Sequence, residues 1–538
     1  MANIEADVII VGSGISGALL AARLADAGVK VAILEAGARV DRAQATQRFW
    51  DAPIKAPECP YPPSPQANHP ISNDPDYWYR QVGPDKFKST YVKVVGGTTW
   101  HWLGTCLRLV PNDLRLSSAY GRGVDWPIAY ADLEPFYGQA EDEIGVSGAS
   151  DETLGSPRST GYPMPAIPQT FLDKAYVRAL AGTQYEVRAT PQGRNSADRD
   201  HRPACCGNAS CVPICPIQAK YDATVHLSRA EKNGAAIHAQ TTATMVEVGP
   251  DGRATAIHFK RWDGSQGMAS GKVFVLAAHA IEIPRLLLNS RTAARPNGVA
   301  NGSDQVGRNL MDHPTQLSWA LAPTPVWPYR GPLSTSGIEN LRDGQFRKDR
   351  PAFRIEIGND GWSWPTGAPT TTADELARRG LRGKALDGAL RTQASRHIRL
   401  ASLIEQLPDP QNRVTLDPRE MDVYGVPLPR LAYRLDAYVR AGLSAARDAH
   451  AEIFGMLSAT EIQHREVAEG AGHIIGTARM GSDPKSSVVD GDLRSHDHPN
   501  LFILGSAVFP TSATANPTLT IAALSLRAAD QVKATLTQ

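Results

Sequence analysis

The chain has 538 residues, enough to bury a large core, and length alone favours two to four domains. Its composition is ordinary for a globular protein, and 56 basic against 55 acidic residues leave a net charge of +1, which argues against a nucleic-acid-binding protein. No apolar run approaches the roughly 18 residues that a membrane span needs, and the predicted first strand follows the N-terminus with no basic and apolar leader. We therefore expect a large two-domain enzyme that neither spans a membrane nor directs its own export.

The first predicted elements are a strand, a tight turn, a helix and a second strand. The turn carries Gly12, Ser13 and Gly14, and Gly17 completes a Gly-x-Gly-x-x-Gly pattern. Such glycines allow the turn, the approach of a pyrophosphate and close helix packing, while the helix N-terminus attracts phosphate. Glu35 ends the second strand, where a carboxylate accepts from ribose hydroxyls and disfavours the 2′-phosphate of NADP. This stretch predicts a dinucleotide site and leaves FAD and NAD both open.

A second glycine-rich segment follows an irregular, proline-rich excursion over residues 51–90. Gly96-Gly97-Thr98-Thr99 would let backbone and hydroxyl groups approach a ligand, with the indoles of Trp100 and Trp102 at its edge. The alternative is a glycine bend in a strand.

Together, the two glycine-rich segments resemble the FAD-binding motifs of the glucose-methanol-choline (GMC) oxidoreductase family. The resemblance implies an α/β fold, with a Rossmann-type FAD-binding domain and a second substrate domain built on an antiparallel sheet with helices. The family often has Asn where this chain has Trp102. His101-Trp102 resembles part of the Thr-His-Trp of pyranose oxidases, whose histidine is bonded to the flavin, although Trp100 replaces the threonine. A covalent link from His101 to FAD is therefore a hypothesis.

Four of the six cysteines, Cys205, Cys206, Cys211 and Cys215, fall within eleven residues. With glycine and proline shaping the loop, this clustering suits iron–sulfur ligation. Zinc is the competing metal, although paired Cys-x2-Cys spacing is missing; a reduced loop or a local disulfide is the alternative without metal. Adjacent side chains of an extended loop point to opposite sides, so we expect only one of Cys205 and Cys206 to be a ligand. Three ligands would favour a three-iron cluster, or a four-iron cluster with an outside ligand.

The cysteine segment, taken with residues 96–102, resembles the FAD flavoprotein subunits of bacterial membrane-associated dehydrogenases for glucose, gluconate, fructose or sorbitol. The resemblance implies a 3Fe-4S cluster held by Cys205, Cys211 and Cys215, with Cys206 the doubtful member. It implies a sugar or polyol substrate, glucose or a related sugar first, and electron transfer from FAD through the cluster to a cytochrome or quinone. It also implies a small partner with an export signal and a multihaem cytochrome c subunit. Those partners would place the chain on the periplasmic side of the inner membrane; without them it would be cytoplasmic.

The middle of the chain is less specific. The segment 273–284 is predicted as a buried strand that enters a helix at Arg285 to Leu288. His313, before a proline, is predicted to have a structural role. Alternation around 396–416 predicts an antiparallel sheet. Three tryptophans could stack on a sugar ring or simply anchor loops; these are Trp327, Trp362 and Trp364.

The C-terminal segment carries the predicted catalytic pair. His473 is the first residue of a His-x-x-Gly-Thr pattern. A predicted strand further on ends in Gly505-Ser506-Ala507. After it, Asn516-Pro517-Thr518 starts an apolar helix whose N-terminus could face a flavin. These segments resemble the GMC catalytic pair of His with His or Asn. We predict that His473 takes the hydroxyl proton, that FAD takes the hydride and that Asn516 orients the oxygen.

Two rival functions stay open, a GMC oxidase or choline-type dehydrogenase, and a flavin-bearing assembly subunit whose site is idle. The predicted FAD-binding domain comprises residues 1–50, 85–115, 225–314 and 471–538, and the predicted substrate domain comprises 116–224 and 315–470 with the iron–sulfur loop at 203–216.

Overall fold

The computed structural model describes residues 3–53, 55–360 and 370–537, so that Trp362 and Trp364 lie outside the described residues. Within those ranges, no helix has the length and hydropathy needed to cross a bilayer. The described α-helices are α1 Ile15–Asp26, α2 Arg42–Asp51, α3 Leu116–Tyr120, α4 Tyr130–Ile144, α5 Phe171–Ala179, α6 Thr224–Lys232, α7 Glu282–Asn289, α8 Thr370–Arg378, α9 Gly383–Arg396, α10 Ala437–Met456 and α11 Thr518–Leu536.

A five-stranded parallel sheet contains the first glycine turn. Its strands are β2 Val8–Val11, β3 Val31–Leu34, β8 Ala236–His238, β12 Val273–Leu276 and β21 Leu501–Ile503. The order is β21-β12-β2-β3-β8, and four of the five strands are buried throughout, as expected for short apolar runs covered on both faces. The predicted Rossmann-type domain is confirmed.

The two ends of the chain meet on this sheet. Helix α1 packs against α11, and their serines Ser16 and Ser525 share a hydrogen bond of 2.6 Å between Oγ atoms. Helix α7 begins at Glu282, three residues before the predicted start. A neighbouring four-stranded sheet has the order β1-β11-β10-β9. Its strands are β1 Ile4–Glu5, β9 Thr241–Val248, β10 Ala254–Arg261 and β11 Gln266–Ser270.

The substrate half is built on an antiparallel sheet, as predicted, with order β19-β13-β16-β15-β14-β7 and with β20 paired to β13. Helix α10 packs on β13 and β16, and the apolar side chains between them form a second core. The strands are β7 Val187–Ala189, β13 Pro314–Leu321, β14 Ser336–Ile338, β15 Phe353–Gly358, β16 His397–Ile404, β19 Thr460–His464 and β20 Glu469–Gly470.

The remaining strands are short or peripheral. Strand β17 follows β16 along the chain, yet it pairs with β18, so the two strands predicted around 396–416 belong to different sheets. The described residues of this excursion, 51–53 and 55–90, are irregular apart from the end of α2, one 3-10 turn and β4, as predicted. These strands are β4 Arg80–Gln81, β5 Ser147–Gly148, β6 Met164–Pro165, β17 Arg413–Met421 and β18 Pro427–Ala432.

Candidate active site

One cavity of about 630 Å³ runs from the carboxyl ends of the parallel strands to the antiparallel sheet. This edge is where open α/β sheets bind ligands. The predicted site residues that line it are Gly12, Ser13, Gly14, Glu35, Gly97, Thr98, Thr99, His101, Trp102, His473, Gly505, Asn516, Pro517 and Thr518. The other predicted cofactor residues, Gly17, Gly96 and Ala507, are not part of the lining; the Ala507 carbonyl instead accepts a hydrogen bond from the Ala478 N–H at 2.8 Å.

The glycine turn after β2 is a cradle for an anion. A Cβ on Gly12 would lie 2.5 Å from the Ala277 oxygen, and one on Gly17 would lie 2.1 Å from the Gly12 oxygen. Gly14 differs, because a Cβ there would have no neighbour within 4 Å. Gly14 is also the N-cap of α1 and makes no side-chain capping bond, so the first turn of α1 can offer N–H groups to a pyrophosphate.

Glu35 and Ser13 connect the glycine turn to the second glycine-rich segment. The Ser13 hydroxyl donates to Glu35 Oε2 at 2.6 Å and accepts from the Gly96 N–H at 3.1 Å. Glu35 also accepts from the N–H groups of Ser13 and Gly37, and burial raises the pKa of its carboxyl group. These hydrogen bonds hold the Glu35 carboxyl group at the carboxyl end of β3, where a ribose would lie.

The segment at Gly96 forms a turn and not a bend in a strand. Gly96 and Gly97 have φ values of +96° and +57°, which favour glycine, and a 3-10 turn spans Gly97–Trp100. The Thr99 hydroxyl donates to the Gly96 carbonyl at 2.6 Å and accepts from the Ala223 N–H at 2.9 Å. Thr99 thus stabilises the turn, although it also borders the cavity.

His101 and Trp102 follow that turn and face the cavity. His101 is 7% exposed, and its Nδ1 has no hydrogen-bond partner among the described residues. Burial, with a smaller effect of Lys220, lowers the pKa of His101 to about 3, so the ring is neutral at physiological pH. The Trp102 indole N–H donates to the Tyr221 carbonyl at 2.7 Å, which fixes the ring in the wall.

The predicted catalytic pair meets at the junction of the two sheets. His473 Nε2 lies 3.2 Å from Asn516 Nδ2, and Asn516 Oδ1 accepts from Arg354 Nη1, also at 3.2 Å. The pKa of His473 lies well below its ordinary value because the ring is removed from bulk solvent and because His313 and Arg354 are close. A neutral imidazole can accept the proton of a hydroxyl group, and the neighbouring amide can hold the oxygen of that group.

His313 is the neighbour of His473, which its predicted structural role had not anticipated. It is fully buried, and its Nδ1 lies 2.8 Å from His473 Nδ1. Its Nε2 lies 3.1 Å from the Ser512 carbonyl and 2.9 Å from the Ala513 carbonyl. Backbone pairing on both sides of the rings holds them together: Pro314 in β13 pairs with Gly470 in β20, and Met311 and Ile475 exchange two hydrogen bonds of 2.9 Å. The sequence indicated this contact only in that both histidines lie in segments that resemble motifs of one family.

Charged side chains of the antiparallel sheet form the far wall of the cavity. Glu356, Asp360 and Arg399 line it, and Arg399 Nε donates to the two Asp360 oxygens at 3.0 and 3.1 Å. Arg354, two residues before Glu356 on β15, forms ion pairs with Glu356 and with Glu339. Sequence reasoning missed this wall because it depends on strand register. Of the tryptophans, Trp327 packs against Phe171 and does not line the cavity.

The cysteine loop lies beside the His101 segment. Cys205, Cys206, Cys211 and Cys215 are all free and line one small cavity. Within the described ranges, no group of three or more His, Cys, Asp or Glu side chains is placed to hold a metal ion. The buried Lys220 joins the loop to the segment before His101, since its Nζ donates to the carbonyls of Cys211 at 2.7 Å and Trp100 at 2.9 Å.

Two family models described as GMC oxidoreductase match this chain, one over residues 6–315 and the other over 408–525. The chain belongs to the GMC oxidoreductase family. This GMC oxidoreductase is 39% identical to the fructose dehydrogenase large subunit of Gluconobacter japonicus over 98% of both chains. It is 28% identical to paromamine 6'-oxidase of Streptomyces fradiae, with 98% of this chain and 91% of that one covered. Pyridoxine 4-oxidase from Mesorbium loti has the same fold, with a TM-score of 0.65 at 19% identity over 98% of this chain and 99% of that one.

The GMC oxidoreductase is therefore an FAD-dependent enzyme that acts on CH–OH groups, and the prediction of FAD over NAD is confirmed. The cavity fits this cofactor. The turn at Gly14 leaves room for a pyrophosphate, Glu35 stands where the ribose would lie, and His101 offers an unpartnered Nδ1.

Proposed function

We propose that this protein is a dehydrogenase that oxidises a hydroxyl group of a sugar or polyol. The observation that carries the proposal is the continuity of one cavity, from the nucleotide cradle past His473 and Asn516 to the charged wall of Glu356, Asp360 and Arg399. Carboxylates and a guanidinium are suited to a ligand with several hydroxyl groups, because each hydroxyl both donates and accepts. The similarity to a fructose dehydrogenase large subunit supports the same substrate class.

In this mechanism the substrate hydroxyl lies against the catalytic pair. His473 accepts its proton, and the Asn516 amide orients its oxygen without competing as a base. FAD, when bound, supplies the acceptor for the hydride that leaves the carbon. Gly12, Gly14, Glu35, Gly97 and Thr518 are the residues that would hold the cofactor; they all border the cavity.

Anaerobic bleaching of the flavin absorbance tests the proposed function. The panel contains glucose, fructose, gluconate, sorbitol and glycosides, with ethanol as an alcohol that lacks further hydroxyl groups. We expect at least one sugar or polyol to bleach the flavin far faster than ethanol does. Bleaching by no member would favour an idle assembly subunit, and rapid reoxidation by oxygen alone would favour an oxidase.

We also propose that the loop at 203–216 binds an iron–sulfur cluster, a 3Fe-4S cluster in the first instance, which would carry single electrons to a cytochrome or quinone. Its support is the donor chemistry, because four free thiols border one cavity and thiolates are the usual ligands of such clusters.

Changing Cys211 to Ser is expected to remove most of the protein-bound iron and to slow reduction of an added cytochrome c. Flavin reduction by substrate should stay within about twofold, since it precedes this transfer. Cys59→Ser, a free cysteine outside the loop, is the control and should keep its iron. Equal iron in both variants, measured by elemental analysis, would rule out the proposed cluster site.

A covalent link between His101 and FAD is the further cofactor proposal. We expect acid-precipitated wild-type protein to retain its flavin and the His101→Ala variant to release it. The neutral ring borders the cavity, and its Nδ1 has no partner among the described residues, which supports this expectation. Release of all flavin from the wild-type protein would disprove the link.

We propose that the chain works as the large subunit of a complex with a small export-signal-bearing subunit and a multihaem cytochrome c subunit, on the periplasmic side of the bacterial inner membrane. The fructose dehydrogenase relative is a large subunit, which supports the existence of partners. Expression with and without a small export-signal-bearing subunit and a multihaem cytochrome c subunit, followed by cell fractionation, tests it. The chain should be periplasmic only when coexpressed, and cytoplasmic when expressed alone.

A further inference from the structure

The hydrogen bonds of His313 determine which of its nitrogens carries a proton. Its Nε2 faces the carbonyl oxygens of Ser512 and Ala513, at 3.1 and 2.9 Å, and a carbonyl oxygen can only accept. The proton of His313 is therefore on Nε2. Burial lowers the pKa of His313 to about 4, so the ring is neutral and its Nδ1 is bare. That nitrogen, 2.8 Å from His473 Nδ1, must accept, and so His473 carries its proton on Nδ1.

A second set of contacts leads to the same protonation of His473. Arg354 has only donors, and its Nη1 lies 3.2 Å from Asn516 Oδ1. The amide oxygen of Asn516 is thereby turned toward Arg354, and its Nδ2 donates toward His473 Nε2 at 3.2 Å. His473 Nε2 is therefore an acceptor. The first argument begins from backbone carbonyls, which only accept hydrogen bonds. The second begins from a guanidinium, which only donates them.

We propose that His313 and Arg354 are positioning residues that hold His473 as the Nδ1–H tautomer, with Nε2 as the atom that takes the substrate proton. The substrate part of this inference rests on the proposed function. In the step, the substrate O–H bond breaks and an Nε2–H bond forms, and the C–O bond becomes a carbonyl as a hydride leaves that carbon. FAD, when bound, would supply the acceptor for the hydride. His473 then carries two protons, and its Nδ1–H keeps the bond to His313 Nδ1. Nε2 is already the unprotonated nitrogen when the substrate arrives, so no tautomer exchange precedes proton transfer.

Nitrogen NMR of the FAD-loaded protein, labelled with ¹⁵N-histidine, tests the tautomer without any substrate. We expect His473 to show a protonated Nδ1 and a bare Nε2, and His313 to show the reverse. Signals lost in the variants His473→Asn and His313→Gln assign the two rings. A protonated Nε2 on His473 in the neutral ring would overturn the proposal, whatever the substrate of the enzyme proves to be.

Two amide variants of His313 then test its positioning role. Asparagine can place its oxygen where Nδ1 stands and still accept from His473, whereas glutamine reaches only toward the Nε2 position. We expect flavin reduction to fall by about 10²-fold in His313→Gln and by less than about tenfold in His313→Asn. Flavin content and thermal unfolding are measured for both variants. Equal losses would overturn the role, while failure of the wild-type protein with every sugar would instead refute the proposed function.

Discussion

Replacing His473 with alanine should leave FAD bound and slow its reduction by substrate about 10³-fold, within the range that a general base contributes. His473 lies at the junction of the two sheets, apart from the pyrophosphate cradle at Gly14, so cofactor binding has other determinants. His313 cannot replace it, because that ring is fully buried and its Nε2 bonds to two carbonyls. The measurement is anaerobic stopped-flow mixing of the FAD-loaded variant with the best sugar of the panel.

A matched histidine serves as the control for this variant. His464 lies on β19, bonds through Nδ1 to the Ser318 hydroxyl at 2.7 Å and does not line the cavity, so His464→Ala should keep the wild-type rate. In the wild-type protein the pKa of His473 is well below its ordinary 6.5. The base must be unprotonated, and the rate should therefore be constant near neutral pH and fall only as the pH drops through that depressed pKa. A near-normal rate in His473→Ala would contradict the assignment.

The second large effect is expected at Gly14. Alanine tolerates the extended conformation of this residue, with φ −66° and ψ −171°, and its methyl group would meet no protein atom within 4 Å. The Gly14→Ala apoprotein should therefore fold with unchanged stability. The methyl group would stand where the pyrophosphate approaches the helix, so we expect flavin content to fall at least about tenfold.

Gly17→Ala separates packing from cofactor contact. A Cβ there lies 2.1 Å from the Gly12 oxygen, so the backbone must shift, at a cost of about 1–3 kcal/mol typical of overpacking. This variant should lose both flavin and thermal stability, whereas Gly14→Ala should lose flavin alone. Flavin absorbance per protein and apoprotein unfolding temperatures measure the two effects. Full flavin content in Gly14→Ala would show that the anion binds elsewhere.

Local patterns predicted the parts of this fold that depend on local rules. Short runs of residues predicted three features of the fold: the turn at Gly12, the acidic residue Glu35 and the helix after Asn516. In each run the residue types themselves indicate the backbone conformation. The motif resemblance also brought His473 and Asn516 together correctly, although they lie 43 residues apart. The motifs were therefore informative about a contact between two residues that lie far apart in the sequence.

The charged wall and the histidine contact could not be predicted in the same way. Glu356 and Arg399 face the cavity because of how β15 pairs with β16, and a shift of one residue would turn them to the other face. The contact of His313 with His473 spans 160 residues, and it depends on the pairing of β20 with β13 and of Met311 with Ile475. Nothing in either segment alone specifies those pairings.

The short strand β20 therefore links chemistry to the local stability of the fold. The two residues of β20 pair with the start of β13, which immediately follows His313. Strand β20 itself ends only three residues before His473. An edge of two residues opens more readily than the central strands that it borders. Opening there would release one side of the contact between the two rings, which the hydrogen bonds of Met311 with Ile475 hold on the other side, while the cores stay intact. Catalysis should therefore weaken on heating before the chain melts. Amide exchange at the β20 N–H that faces β13 would accordingly report on whether the base is in place.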